Sequence, residues 1–193
     1  MSTGIGRRRF LALAGGGAAS ILIYFLSDSL IRPAGKVDLI RPPGAVEESA
    51  FEGACIRCQR CIYVCPTRAI KPATISDGVS KVFTPILDGE CIYCWKCIQA
   101  CPSGALQQIT LEEYKVGTAE VNRKLCIRCM ICVTQCPFKA ITSVKEDTVR
   151  WPVVDPEKCT GCAKCWVVCP VRPDRAIALS SVGAKRVKVV RLI

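Results

Sequence analysis

All sixteen cysteines of this chain fall into four copies of one spacing, C-x2-C-x2-C-x3-C-P. The copies are Cys55, Cys58, Cys61 and Cys65; Cys91, Cys94, Cys97 and Cys101; Cys126, Cys129, Cys132 and Cys136; and Cys159, Cys162, Cys165 and Cys169. Pro66, Pro102, Pro137 and Pro170 close the runs. Thiolates at these intervals suit the corners of a [4Fe–4S] cubane. Two residues between cysteines let a tight loop wrap three corners with its backbone N–H groups turned inward. No cysteine is left over, so the count predicts four [4Fe–4S] clusters with all sixteen cysteines as iron ligands. Such a chain reads as a wire for electrons, with no catalytic residue of its own.

Other thiol chemistries fit less well. Disulfides between such closely spaced cysteines would violate their strict geometry. Zinc sites use separated cysteine pairs, often with histidine, and the chain has no histidine. That absence also rules out a Rieske centre, a C-x-x-C-H haem attachment and a Ser-His-Asp triad. The one glycine run, Gly15-Gly16-Gly17, lies in an apolar segment and does not follow a strand, so it is no dinucleotide loop.

The elements that must position the cysteines follow from the repeat. First cysteines recur every 33 to 36 residues. In two-cluster ferredoxins the fourth cysteine of each run ligates the other cluster, so four motifs imply two ferredoxin-like units. The proline after that cysteine suits the first turn of a helix. A helical turn is therefore expected after each Cys-Pro, ending in Ala69-Ile70, Ala105-Leu106, Ala140-Ile141 or Ala176-Ile177. Val82-Phe83-Thr84, Ala119-Glu120-Val121 and Val153-Val154-Asp155 are expected as strands entering the next motif. The fold class is α+β, two ferredoxin-like units of short hairpins and short helices, preceded by an amino-terminal hydrophobic helix. Ile56, Ile62, Ile92, Ile98, Ile127 and Ile131 are expected to shield the sulfurs, and Trp95 and Trp166 to exclude water. The fourth repeat carries an insertion, Val171 to Arg175. Val187 and the apolar residues after it alternate with lysine and arginine, which predicts a final half-buried strand.

The formal charge of +11 counts cysteine as neutral. Each oxidised cluster with its thiolates carries about −2, so the assembled protein carries about +3. Nucleic acid is therefore not an expected partner. Arg57, Arg60, Lys96, Arg128 and Lys164 stand between ligands, where they either offset cluster charge or are simply solvated.

Arg7-Arg8-Arg9-Phe10-Leu11 opens the chain in the twin-arginine export pattern. An export route for folded proteins makes sense for a chain whose clusters are built in the cytoplasm. Leu11 to Ile31 is long enough to cross a bilayer. Residues 1–31 are read as a twin-arginine signal and uncleaved membrane anchor, residues 32–50 as an extended linker, and residues 51–193 as the four-cluster region. The clusters would then sit on the periplasmic, outer face. A cleaved signal and a soluble periplasmic protein is the alternative.

With the twin arginines, the apolar stretch, Arg41-Pro42-Pro43-Gly44-Ala45, Phe51, Ala54-Cys55-Ile56-Arg57-Cys58 and Cys101-Pro102-Ser103-Gly104-Ala105-Leu106 in order, the chain resembles the NapG/MauM group of ferredoxin-type proteins. The resemblance covers nearly the whole chain. It implies electron transfer from a membrane quinol-oxidising iron–sulfur partner to a periplasmic reductase. An assembly or maturation factor for an exported redox enzyme, or a generic polyferredoxin subunit, are the alternatives. The more distant electron-transfer subunits of molybdenum oxidoreductases share the four-motif layout, and likeness to them implies a nested pairing. Cys169 would then complete the cage of Cys55, Cys58 and Cys61, and Cys65 that of Cys159, Cys162 and Cys165. Cys136 would join Cys91, Cys94 and Cys97, and Cys101 would join Cys126, Cys129 and Cys132. Pairing of neighbours, first with second and third with fourth, fits the spacing equally well.

Overall fold

The computed structural model describes residues 39–110 and 114–188. The expected twin-arginine segment and hydrophobic helix lie outside the described residues. The chain divides by compactness at residue 37, and every described residue belongs to the second part.

Two units built on one plan follow each other. In the first, α1 (Glu48–Ala54) leads into the first motif. The strands β1 (Ile70–Pro72) and β2 (Pro85–Leu87) then pair antiparallel between the first and second motifs. Two 3-10 turns, Ile75–Asp77 and Val79–Lys81, fill the loop between these strands. In the second unit β3 (Thr118–Val121) leads into the third motif. The hairpin β4 (Ile141–Glu146) and β5 (Val149–Val154) separates the third motif from the fourth, and β6 (Ile177–Ser180) closes by pairing antiparallel with β3. The register Val121↔Ile177 therefore joins the two ends of that unit. The corresponding closure of the first unit is a single bridge, Ala45↔Leu106.

Four one-turn helices span the third cysteines: α2 (Arg60–Tyr63), α3 (Lys96–Gln99), α4 (Ile131–Thr134) and α5 (Lys164–Val168). They end at or before the fourth cysteine, so the helical turn expected after each Cys-Pro instead precedes it. A proline forces the residue before it out of the α region and offers no N–H to continue a helix. Cys169, at φ −65° and ψ 123°, shows that restriction. The strands expected at Ala119 to Val121 and Val153-Val154 form. The one expected at Val82 to Thr84 begins instead at Pro85, because Val82 ends a 3-10 turn. No hairpin joins the second motif to the third among the described residues, since β3 pairs with β6.

The stretch read as a linker is, from Arg41 to Val46, buried. Arg41 is wholly buried. Its guanidinium donates to the Glu48 carboxylate at 2.5 to 3.1 Å, to Thr84 Oγ1 at 2.8 Å and to the Pro85 carbonyl at 3.0 Å, and it lies 4.7 Å from the Phe51 ring centroid. A buried arginine is tolerated only when its donors are met in this way. One residue thus ties the entering chain, α1 and β2 together. At the other end, Val187 donates to the Ala45 carbonyl at 3.1 Å and bridges to Val46 in parallel, so the tail packs on the first unit. The rest of the expected final strand, beyond residue 188, lies outside the described residues.

Candidate functional site

Each motif repeats one backbone device. The second residue after the first cysteine and the residue before the one-turn helix are left-handed in all four copies. These are Arg57 and Gln59, Tyr93 and Trp95, Arg128 and Met130, and Gly161 and Ala163, with φ between 51° and 76°. Positive φ is uncommon for side-chain-bearing residues and collects at functional sites. Alternating left-handed residues curl the backbone so that successive N–H groups face one hollow, the kind of nest that receives anions.

Four small hollows result, each lined by four cysteines. Cys55, Cys58, Cys61 and Cys101 line the first-motif cage. Cys65, Cys91, Cys94 and Cys97 line the second-motif cage. Cys126, Cys129, Cys132 and Cys169 line the third. Cys136, Cys159, Cys162 and Cys165 line the fourth. Every cage thus takes three cysteines from one motif and the fourth cysteine of its partner. The nested pairing is overturned: Cys65 and Cys101 change places within the first unit, and Cys136 and Cys169 within the second. The hairpins β1–β2 and β4–β5 explain this, because each folds two consecutive motifs face to face.

The electrostatics agree with this grouping. Burial and then the neighbouring Cys55, Cys101 and Cys58 push the Cys61 thiol up to about 12. Burial likewise lifts Cys91, Cys97 and Cys165 to about 12 and Cys132 to about 11, with other cysteines of the same cage adding to it. Thiols so placed stay protonated until a cation arrives. Burial also acts on Cys65 and Cys101, but hydrogen bonds outweigh it and hold both below the ordinary value. The Thr67 and Ser103 hydroxyls lie 3.5 and 3.7 Å from these two sulfurs.

The donor set fits a [4Fe–4S] cluster. Four sulfurs converge in each hollow, and in the second unit the Ala119 and Ala140 amides donate to Cys159 and Cys136 at 3.4 and 3.3 Å. Thr160 adds a further sign. It lines the fourth-motif cage, and its buried hydroxyl has no nitrogen or oxygen partner. Buried polar groups are rarely left so, and an acceptor sulfur would complete it.

The chain's own features match known proteins. Three families, each described as "4Fe-4S dicluster domain", match: one over residues 54–105 in the first unit, one over residues 119–179 in the second, and one over residues 90–141. The ferredoxin-type protein NapG of Escherichia coli is 36% identical over 189 residues, covering 85% of this chain and 81% of that protein. The methylamine utilization ferredoxin-type protein MauM of Methylophilus methylotrophus is 36% identical over 185 residues, covering 84% of this chain and 80% of that one. The chain belongs to the NapG/MauM family of ferredoxin-type proteins. This NapG/MauM-type protein is an electron-transfer protein with cysteines for four [4Fe–4S] clusters.

Several expectations about the surroundings change in this family member. Ile98 is buried and Ile62 half-buried, but Ile56, Ile92, Ile127 and Ile131 are exposed. The first three sit at the outer bend between two ligands, and all four still line the hollows of their own cages, so they border the sulfurs while facing solvent. Trp95 and Trp166 do pack against the two cores. The insertion of the fourth repeat folds back on its own motif. Arg175 stacks 3.4 Å over the Trp166 ring, and Arg172 donates to the Cys169 carbonyl at 2.5 Å. Of the basic residues between ligands, Lys164 pairs with Glu90 at 3.0 Å, Arg57 holds the carbonyls of Val82 and Ser80, and Arg128 lies over Trp151. Arg60 and Lys96 are exposed.

Three groups of residues escaped the sequence reading. Arg41 was visible only within the Arg-Pro-Pro-Gly-Ala string. Thr160-Gly161 replaces the Ile-Arg or Ile-Tyr of the other repeats, and that departure was a readable signal. Tyr93, whose hydroxyl donates to the Thr160 carbonyl at 2.9 Å, had none.

Proposed function

We propose that each cage holds one [4Fe–4S] cluster through its four cysteines, and that the chain relays electrons between a membrane quinol-oxidising iron–sulfur protein and an exported reductase. It works without substrate chemistry of its own, tethered by its amino-terminal segment to the outer face of the cytoplasmic membrane. The observation that carries this reading is four equivalent cysteine cages in one chain of the NapG/MauM family. Bound clusters supply one-electron redox chemistry. The protein's part is to set the cages near one another, to bury the third cysteine of every motif (Cys61, Cys97, Cys132 and Cys165), and to present Cys58 and Cys129 to solvent. The Arg7-Arg8-Arg9-Phe10-Leu11 string supports export in the folded state.

The test is on protein purified without oxygen. Iron should approach about sixteen per chain, and a reduced sample should be reoxidised rapidly by a periplasmic reductase in steady turnover. Two irons or fewer would sink the reading, and full iron without turnover coupling would favour a maturation role. Arg7→Lys with Arg8→Lys should keep the protein in the cytoplasm. Unchanged export of that variant removes the twin-arginine argument.

A further inference from the structure

We infer that the four cages form a single line in the order first, second, fourth, third motif, and that electrons enter and leave at its two ends, over Cys58 and Cys129. This rests on the carrier reading above. Within the first unit, the exchange of Cys65 and Cys101 makes the first and second cages neighbours. Within the second, the exchange of Cys136 and Cys169 does the same for the third and fourth. What remains open from those exchanges is which cages meet across the units.

The seam between the units decides it. The Cys91 amide donates to the Cys162 carbonyl at 2.9 Å, so a ligand residue of the second cage touches a ligand residue of the fourth. Tyr93 donates to the Thr160 carbonyl, and Lys164 pairs with Glu90 at 3.0 Å. Every one of these contacts joins the second motif or the residue before it to the fourth motif. Tyr93 also stacks edge-on with Tyr114 at 4.8 Å and Phe138 at 5.8 Å, and these rings pack over the same seam. Among the described residues no backbone hydrogen bond joins a cysteine of the first motif to one of the third.

Exposure follows the same order. Cys58 and Cys129 are the exposed cysteines, and they belong to the cages at the two ends. All four cysteines of the fourth motif are buried, and the second motif has none exposed. A one-electron donor protein can therefore come nearest at one end and a one-electron acceptor protein at the other. The donor is oxidised and the acceptor reduced by one electron, and no bond or proton moves. Sequence order would have placed the fourth motif at an end, where tertiary structure puts it inside.

Two variants of the full-length protein test the order by electron paramagnetic resonance of the reduced state. Cys58→Ala with Cys129→Ala should leave the second and fourth cages loaded, with two interacting spins and a split, fast-relaxing signal. Cys94→Ala with Cys162→Ala should leave the first and third, with two unsplit signals. The reverse pattern, or equal splitting in both, overturns the order. Should either variant fail to load, the intact protein is oxidised in small steps and its freed thiols alkylated and mapped. Cys58 and Cys129 should be labelled before Cys162 and Cys165, and the opposite sequence overturns the proposal. An intact protein without iron sinks the carrier reading itself, whereas full iron with the wrong pattern sinks the order alone.

Discussion

The two units carry the same ligand spacing and the same left-handed backbone, yet close and shield their cages differently. The first is pinned by a buried arginine: Arg41 gathers Glu48, Thr84 and Pro85, while its terminal strands meet at one bridge. The second closes by four residue pairs between β3 and β6 and, among the described residues, has no buried charged counterpart to Arg41. Its fourth cage is sealed by direct backbone contact. Gly161 lies against Gly117 so closely that a Cβ on it would come within 2.6 Å of the Gly117 nitrogen, and Gly117 in turn abuts the Ser180 carbonyl. Val116 donates to the Thr160 carbonyl at 3.0 Å across this contact. The loop that presents the first three cysteines is thus a local property of the motif. Shielding of the cage is set by whatever packs over it.

The hydroxyls differ too. In the first unit the crossing cysteines Cys65 and Cys101 each have a hydroxyl two residues on, from Thr67 and Ser103. The second unit has Phe138 and Val171 there, and its hydroxyl comes instead from Thr160. A donor to a cluster sulfur favours the more negative, reduced state and so raises the potential.

The largest expected effect breaks the comparison at its two closures. Gly161→Ala meets backbone that cannot swing aside and must also hold a left-handed φ of 76°. A loss of about 4 kcal/mol or more is expected, with the fourth and third cages emptied first. Arg41→Met should cost about 3 kcal/mol, since it strips the donors from Thr84 and Pro85 and leaves Glu48 half-compensated. It should empty the first and second cages first. Chemical denaturation of anaerobic protein with iron counting separates the two, and identical loss of all cages in both variants would show that the units are not independently closed.

An intermediate effect concerns pH, and its sign depends on loading. In the iron-free chain, Cys61 is raised from 9.0 to about 12, as are Cys91, Cys97 and Cys165. Stability from these neutral buried thiols is complete below pH 9.0 and is lost as pH rises towards about 12, because the unfolded thiols ionise first. Loaded protein behaves in the opposite way. Its cysteines are thiolates, protons compete with iron, and clusters are lost as pH falls. Denaturation midpoints of the iron-free form and absorbance of the loaded form, each followed against pH, should move in opposite directions.

The smallest effect sharpens the hydroxyl contrast. Thr67→Val and Ser103→Ala should lower potentials in the second and first cages respectively, and Thr160→Val should lower that of the fourth. Spectroscopic redox titration reads each shift. Unchanged potentials in all three would remove hydroxyl donation as the difference between the units.

Much of this site could be read from residue order alone. The sixteen cysteines that line the hollows, the number of hollows and the division into two units follow from spacing, because a tight loop leaves little freedom in the chain between successive cysteines. The short helices were legible in kind but misplaced. The constraint that Pro66 and its counterparts impose on the preceding residue outweighs their suitability for a first helical turn. The exposure of Ile56, Ile92 and Ile127 was illegible, since the same residue type serves a shell or a surface and here each borders its hollow while facing solvent.

Residue order determined which atoms can hold iron, since that depends on a few bonds of backbone. Only the tertiary structure decided which motif faces which, that Cys91 meets Cys162, and that the fourth motif stands inside the line. Those facts arise from hairpin closure and from contacts such as Gly161 on Gly117, between segments whose separation along the chain carries no signal of their meeting.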